Sequence, residues 1–210
     1  MEPLLIPTET GIFFDTETTG IPNWKVPSHM PEQPHMTQLA AVVMDIPQRR
    51  VIHSMDVIIQ PDGWEIPPEC VELNGITTEY AMDVGIPEHL ALTMFIEMAK
   101  RNFLSEVNPG PFMPRYAFNT TFDNRIIRIA LKRYMKNLSE PWKEGPYECQ
   151  MIAARKHLGV KAIKLEDAYL SICGMQLEGA HNAWNDVQAT IDLFYEMRED
   201  AFDDAADLFS

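Results

Sequence analysis

Asp15-Thr16-Glu17 places two carboxylates at i and i+2. In an extended segment these side chains share one face, about 7 Å apart along the backbone. A hard divalent cation such as Mg2+ or Mn2+ takes several oxygen ligands, and this pair supplies two. Asp-x-Glu also occurs at solvated strand ends, but here Ile12-Phe13-Phe14 comes directly before it and reads as a buried strand. A further acid arrives in Asn119-Thr120-Thr121-Phe122-Asp123, after the apolar run Tyr116-Ala117-Phe118 and at the opening of a helix. There Asp123 either favours the helix dipole or joins a cation site. His181 precedes Asp186 by five residues, again at a helix opening and after Gly179. An imidazole suits proton removal near neutral pH, although a lone loop histidine is usually only a satisfied polar residue. The other five histidines (29, 35, 53, 89, 157) have no comparable setting.

The elements that must position these groups follow from apolar periodicity. Ile12–Phe14 reads as a strand delivering Asp15 at its C-terminal end. Residues 21–35 carry prolines at 22, 27, 31 and 34 and read as a long irregular loop. Gln38–Ile46 and Val51–Gln60 read as antiparallel strands, with Arg49 and Arg50 in the hairpin turn. Short helices are expected over Pro67–Leu73 and Thr77–Met82, divided by Asn74-Gly75, and an amphipathic helix over Glu88–Phe103. Tyr116–Phe118 is a further strand. The spacing predicts a helix over Phe122–Leu138, with Phe122, Ile126, Ile127, Ala130 and Tyr134 on one side. Three more are expected over Met151–Leu158, Leu165–Ile172 and Asn185–Met197. Strands first, then alternating helix and strand, indicate one mixed sheet with helices packed on it.

The order strand-DxE, strand-NxxFD-helix, loop-HxxxxD-helix resembles the DEDDh family of 3′→5′ exonucleases. FFDTETTG at 13–20 matches the first motif, AFNTTFD at 117–123 the second and AHNAWND at 180–186 the third. NGIT at 74–77 is similar to the family's connecting hGIT segment. The resemblance spans nearly the whole chain. It implies an α/β, ribonuclease H-like fold: a mixed five-stranded sheet flanked by helices. It implies two divalent cations, Mg2+ or Mn2+, with Asp15, Glu17 and Asp186 on the first, and Asp15 bridging to a second supported by Asp123. It also implies that His181 is the general base and that nucleoside 5′-monophosphates leave from a 3′ end. The sequence departs from the family at Phe118, where a histidine often precedes Asn119. The long loop after Gly20 resembles an insertion in stand-alone bacterial and phage members rather than in a proofreading subunit.

By the same resemblance, Thr18, Gly20 and Ile21 meet the terminal nucleotide, with Ile21 as a wedge against the last bases, and Phe122 packs beside the scissile nucleotide. Ordinary core packing is the other reading of Ile21 and Phe122. Trp24 and Lys25 lie in the long loop, where a tryptophan stacks a base beside a lysine near phosphate, or simply anchors the loop. Arg125, Arg128, Lys132 and Lys136 form a helical stripe that starts at Asp123, either tracking phosphates or facing solvent.

The chain has 210 residues, 46% hydrophobic and 23% charged, ordinary values for one domain. A single exonuclease domain is expected over 1–198 and an acidic tail over 199–210. The net charge of −14 argues against nucleic-acid binding through bulk positive charge. Part of it lies in Glu196–Ser210, which has six acids and one base. Cys70, Cys149 and Cys173 are odd in number and widely spaced, which excludes a disulfide framework or a CxxC zinc site. No run of eighteen apolar residues marks a membrane span, and the start lacks a secretory pattern. The expected location is the cytoplasm, or a host cytoplasm for a phage-encoded protein, with no membrane partner.

The expected partner is nucleic acid, foremost the 3′ end of single-stranded or frayed DNA. The ending Asp207-Leu208-Phe209 resembles the second half of sliding-clamp-binding peptides, with Ala205 where those usually have Gln. Folding back or a plain tail is favoured over clamp binding. Two alternatives to a DNA exonuclease stand beside it: an exoribonuclease on short RNA, and a non-catalytic nucleic-acid-binding module on the same fold.

Overall fold

A computed structural model describes residues 9–100 and 111–207, with side chains described up to Glu199. Its centre is β1 (Thr10–Thr18), flanked by antiparallel β2 (Met36–Asp45) and by a short parallel strand β5 (Arg115–Ala117). β3 (Arg50–Gln60) pairs antiparallel with β2, β4 (Ile86–Pro87) adds parallel to β3, and β6 (Tyr147–Cys149) adds parallel to β5. The order β4-β3-β2-β1-β5-β6 makes six strands where five were expected. Neither the two-residue β4 nor the three-residue β6 is long enough to show as periodicity.

Alternation along β1 divides the core. Ile12 and Phe14 enter a cluster with α3 (Glu88–Ala99), α4 (Thr120–Tyr134) and Trp142 of α5 (Ser139–Glu144). Phe13 faces the opposite side, where it packs with Tyr116 and with Val187, Ile191 and Phe194 of α8 (Ala183–Asp207). A third cluster joins Phe118 and α8 to α6 (Gln150–Leu158) and α7 (Leu165–Cys173). A fourth, smaller one seats α1 (Pro68–Asn74) and α2 (Thr78–Val84) beside β3. Period two then sends Asp15 and Glu17 to the α8 face and Thr16 to the α4 face, so both layers contribute to whatever is built at the end of β1.

Most expected elements are present, with differences at their ends. Over Phe122–Leu138, α4 stops at Tyr134, and a 3-10 turn (Lys136–Leu138) leads into α5. Ile126, Ile127 and Ala130 are buried as expected, but Tyr134 is 45% exposed. The helix expected to reach Phe103 ends at Ala99, and residues 101–110 lie outside the described range. The last helix does not fade at Met197: α8 continues through Asp207, across the stretch expected to be a tail. No proline or glycine interrupts 183–207, and its alanines and glutamates favour helix. Leu208 and Phe209, on which the fold-back and clamp expectations rest, lie outside the described residues. In the β2–β3 hairpin, Arg49 takes φ 50° and bridges Glu199, with its guanidinium 4.7 Å from the Tyr195 ring, so the turn is clasped to α8.

The long loop is built by three side chains. Gln33, 2% exposed, accepts from the Asn23 backbone N–H and donates to the carbonyls of Asn23, Val26 and Pro27. Arg125 donates to the carbonyls of Val26 and Asn23, and Arg133 to those of Gln33 and Pro34. Glu88 at the start of α3 accepts from His35, Arg133 and Tyr134 and so closes the loop's base. With several of its carbonyls satisfied by side chains, the loop forgoes secondary structure at little cost in unmet backbone groups.

Candidate active site

The ends of β1 and β5 and the start of α8 surround a cleft of about 670 Å3, lined by Asp15, Glu17, Asp123, His181 and Asp186 together. The five residues come from segments up to 171 positions apart. Each is aimed by local structure. Thr16, between the two β1 acids, donates its backbone N–H (3.1 Å) and its hydroxyl (2.8 Å) to Asp123 Oδ1. One oxygen of Asp123 is thereby used and the other remains for the cleft. Glu17 is held by the Asn74 side-chain amide, 3.3 Å from Oε2. Asn74 is the last residue of α1, and Gly75 beyond it takes φ 74°, a left-handed closure that suits glycine.

The His181–Asp186 segment is fixed from two sides. Gln38 on β2 accepts the Ala183 backbone N–H at 3.0 Å, and Asn182 Oδ1 accepts those of Trp184 and Asn185. His181 takes φ 62°, an uncommon conformation for a non-glycine residue. Its backbone N–H then donates to the Asp186 carboxylate. The imidazole stays 44% exposed, with Nε2 3.8 Å from Glu166 Oε1 on α7.

Burial and mutual repulsion raise the proton affinity of all four carboxylates. Burial, and then the neighbouring charges of Asp123, Asp186 and Glu17, hold Asp15 well above the usual carboxylate range. Burial pushes Glu17 to about 8, against the lowering effect of the Asn74 hydrogen bond, with Asp186 and Asp123 adding to the rise. Asp123 and Asp186 are each raised to about 7, again mainly by burial. Only Asp123 combines burial with two hydrogen bonds from one neighbour. Asp186 is 9% exposed and its Oδ1 has no hydrogen-bond partner among the described residues. Glu17, His181 and Asp186 each offer a ligand atom within 4.8 Å of the other two. Four crowded carboxylates with an unpartnered buried oxygen are costly as they stand. Such an oxygen-rich set fits hard divalent cations, whose charge would reverse that cost.

The expected substrate residues divide between two places. Thr18, Gly20, Ile21 and Phe122 line this cleft. The Thr18 hydroxyl donates to the Gly20 carbonyl at 2.8 Å, Gly20 takes φ 148°, and Ile21 is 80% exposed at the mouth. Trp24 and Arg125 do not line it; they meet in a second cavity, the Arg125 guanidinium 5.7 Å from the Trp24 ring. The basic stripe is also less free than its spacing suggests. Arg125 secures loop carbonyls, Arg128 and Lys132 share the Glu140 carboxylate at 2.9 Å, and Lys136 falls in the turn beyond α4. Sequence reasoning assigned no role to Thr16, Asn74, Glu166 or Gln38. Thr16 and Asn74 lie inside matched segments, so their positions were in view, but nothing local says what they touch.

The chain matches the model of the exonuclease family RNase_T over residues 12–194. It belongs to that family. Asp15, Glu17, Asp123, His181 and Asp186 all fall inside the matched span. Solved structures agree in fold. Escherichia coli exonuclease I in complex with a dA16 oligonucleotide superposes with a TM-score of 0.68 at 21% identity, covering 91% of this chain and 41% of that one. The zinc-ion-bound form of the E. coli exonuclease I–single-stranded DNA complex gives 0.67 at 21%, covering 88% and 39%. A moderately thermophilic exonuclease I from Methylocaldum szegediense gives 0.68 at 21%, covering 91% and 40%. The chain therefore spans about two fifths of the length of these relatives in structure. A comparison with curated protein sequences finds no match. Among the described residues, no helix is long and apolar enough to cross a membrane.

Proposed function

We propose that this exonuclease-family protein hydrolyses single-stranded DNA or frayed ends from the 3′ terminus, releasing nucleoside 5′-monophosphates, and depends on two divalent cations, Mg2+ or Mn2+. The observation that carries the reading is the convergence of Asp15, Glu17, Asp123 and Asp186 on one cleft, with an Asp186 oxygen left unpartnered among the described residues. Asp15, Glu17 and Asp186 would hold one cation, and Asp15 with Asp123 the other. When bound, a cation pair supplies a hydroxide-like nucleophile and stabilises the leaving 3′-oxygen. The chain's own residues do the rest. Thr16 keeps Asp123 turned toward the cleft, and Asn74 does the same for Glu17. A ring nitrogen of His181 accepts the proton of the attacking water; its exposure leaves it free to swing to that water. Exposed Ile21 separates the terminal base from its neighbour, and Phe122 packs beside the scissile nucleotide. The DNA oligonucleotides in the E. coli relatives support the choice of polymer.

The test is hydrolysis of labelled single-stranded DNA and RNA of equal sequence, with Mg2+, Mn2+ or EDTA. Stepwise shortening of DNA from the 3′ end, abolished by EDTA and by Asp15→Ala, is expected. Undiminished hydrolysis by purified Asp15→Ala protein would overturn the metal assignment, and preference for the RNA strand would overturn the polymer.

A further inference from the structure

The cavity that holds Trp24 lies on the other side of the first turns of α4. It measures about 230 Å3, and three of its eight lining residues, Arg125, Arg128 and Lys143, are cationic while none is acidic. That is a marked local departure in a chain of net charge −14. Two aromatic rings stand open at its walls: Trp24 is 53% exposed and Tyr147 is 54% exposed. Arg125 and Arg128 each keep a buried Nε with no hydrogen-bond partner among the described residues.

A further cation stands behind these walls. Arg115 on β5 is fully buried, and among the described residues its guanidinium donates to neutral acceptors: the Gly145 carbonyl (2.6 Å), Asn124 Oδ1 (2.9 Å) and the Pro146 carbonyl (3.3 Å). It lies 4.0 Å from the Trp142 ring and 5.8 Å from the Tyr147 ring. Among the described residues no carboxylate hydrogen-bonds to it, although a buried guanidinium is normally paired with one. Burial lowers its pKa to about 10, still well above neutrality. Arg128 is paired with Glu140, which stands outside the lining, so the positive charge that faces the hollow is that of Arg125 and Lys143, with Arg115 behind it.

Its place relative to the cleft is set by shared elements. Ile21 opens into the cleft, and Trp24, three residues on in the same loop, opens into the cavity. On α4, Phe122 and Asp123 line the cleft while Thr121, Asn124 and Arg125 line the cavity. Asp123 and Arg128 are separated by about 7 Å along the helix axis. A strand that passes the Ile21 wedge thus finds the cavity within a short continuation of its backbone.

We propose that this cavity is a second nucleotide subsite for single-stranded DNA, in which a base upstream of the 3′ end stacks on Trp24, with Tyr147 as the facing aromatic wall, while its phosphate lies near Arg125 and Lys143. The assignment rests on the reading of the cleft as the exonuclease site. It makes the protein selective for strands long enough to reach both places. Base stacking on an aromatic ring is tolerant of sequence, so the selection is for length, with no base preference.

Two measurements decide it. The first compares kcat/KM for a thymidine dinucleotide and a thymidine dodecamer in the wild type, Lys143→Glu and Tyr147→Ala. The dodecamer value is expected to fall in both variants, by about 5–150-fold in Tyr147→Ala, the range of one lost stacking contact, with the dinucleotide value unchanged. An unchanged dodecamer value, or an equal fall for both substrates, overturns the subsite. The second follows tryptophan emission while the dodecamer is titrated in EDTA, where no hydrolysis occurs. Quenching that Trp24→Phe abolishes supports the subsite; no quenching, or quenching that survives Trp24→Phe, overturns it. Should the wild type hydrolyse neither oligonucleotide, the exonuclease reading fails and this titration still decides the cavity.

Discussion

Replacing Glu17 with glutamine tests the electrostatic logic of the cleft directly. The substitution keeps shape and an acceptor oxygen for Asn74 but removes one charge. Glu17 is pushed from 4.5 to about 8 in the folded protein without metal, so between those values the folded state binds more protons than the unfolded chain. Stability then falls as pH rises through that window. At 1.36 kcal/mol per pH unit, the full displacement sets a ceiling of about 5 kcal/mol. Cleft water and side-chain relaxation reduce this to about 1–3 kcal/mol, as an effective dielectric well above that of dry protein implies. Glutamine has no such cost. In EDTA at pH 8, Glu17→Gln should therefore melt about 3–10 °C above the wild type for a chain of this size, and the two should converge near pH 4.5. Mn2+ should reverse the order at pH 8, because only the wild type gains fully from binding the cation. Differential scanning fluorimetry across pH, with and without metal, reads all three. An offset of the same size at both pH values, or a lower melting point for Glu17→Gln at pH 8 in EDTA, would refute the reasoning.

His181→Ala should lower turnover roughly 10²–10⁴-fold while Mn2+ binding by calorimetry changes little; a variant of full speed would remove His181 from proton transfer. Asn74→Ala leaves Glu17 without its amide partner and should weaken metal affinity about 10–100-fold, seen as a shift of the metal concentration needed for half-maximal rate. Thr16→Val keeps the packing volume but deletes the hydroxyl donated to Asp123, so about 1–3 kcal/mol of stability should be lost at neutral pH; an unchanged urea midpoint would show that Asp123 does not depend on it.

Local sequence determined a great deal. An apolar triplet followed by Asp-Thr-Glu is a buried strand with both acids on one face whatever surrounds it, because the period of an extended chain is two. Asp123 and Asp186 sit in first helical turns; before Asp186 the Asn182 side chain caps the helix, whereas Asn119 begins α4 without a side-chain cap. The proline-rich loop, the β2–β3 hairpin and most helices were legible for the same reason: each is a preference expressed within a few neighbouring residues. What tertiary structure alone decided involves partners far apart in the chain. Thr16 meets Asp123 across 107 positions, Asn74 meets Glu17 across 57 and Gln38 meets the Ala183 N–H across 145. A threonine or asparagine has the same local signature whether its hydrogen bond goes to solvent or to a catalytic carboxylate. β6 escaped notice because Tyr147-Glu148-Cys149 is three residues long and exists through its pairing with β5. The basic stripe on α4 read as free charge because spacing shows which cations share a face, whereas Glu140 and the loop carbonyls that engage them arrive only when the chain folds. Side-chain period is a property of the local backbone; neutralisation is a property of the assembled surface.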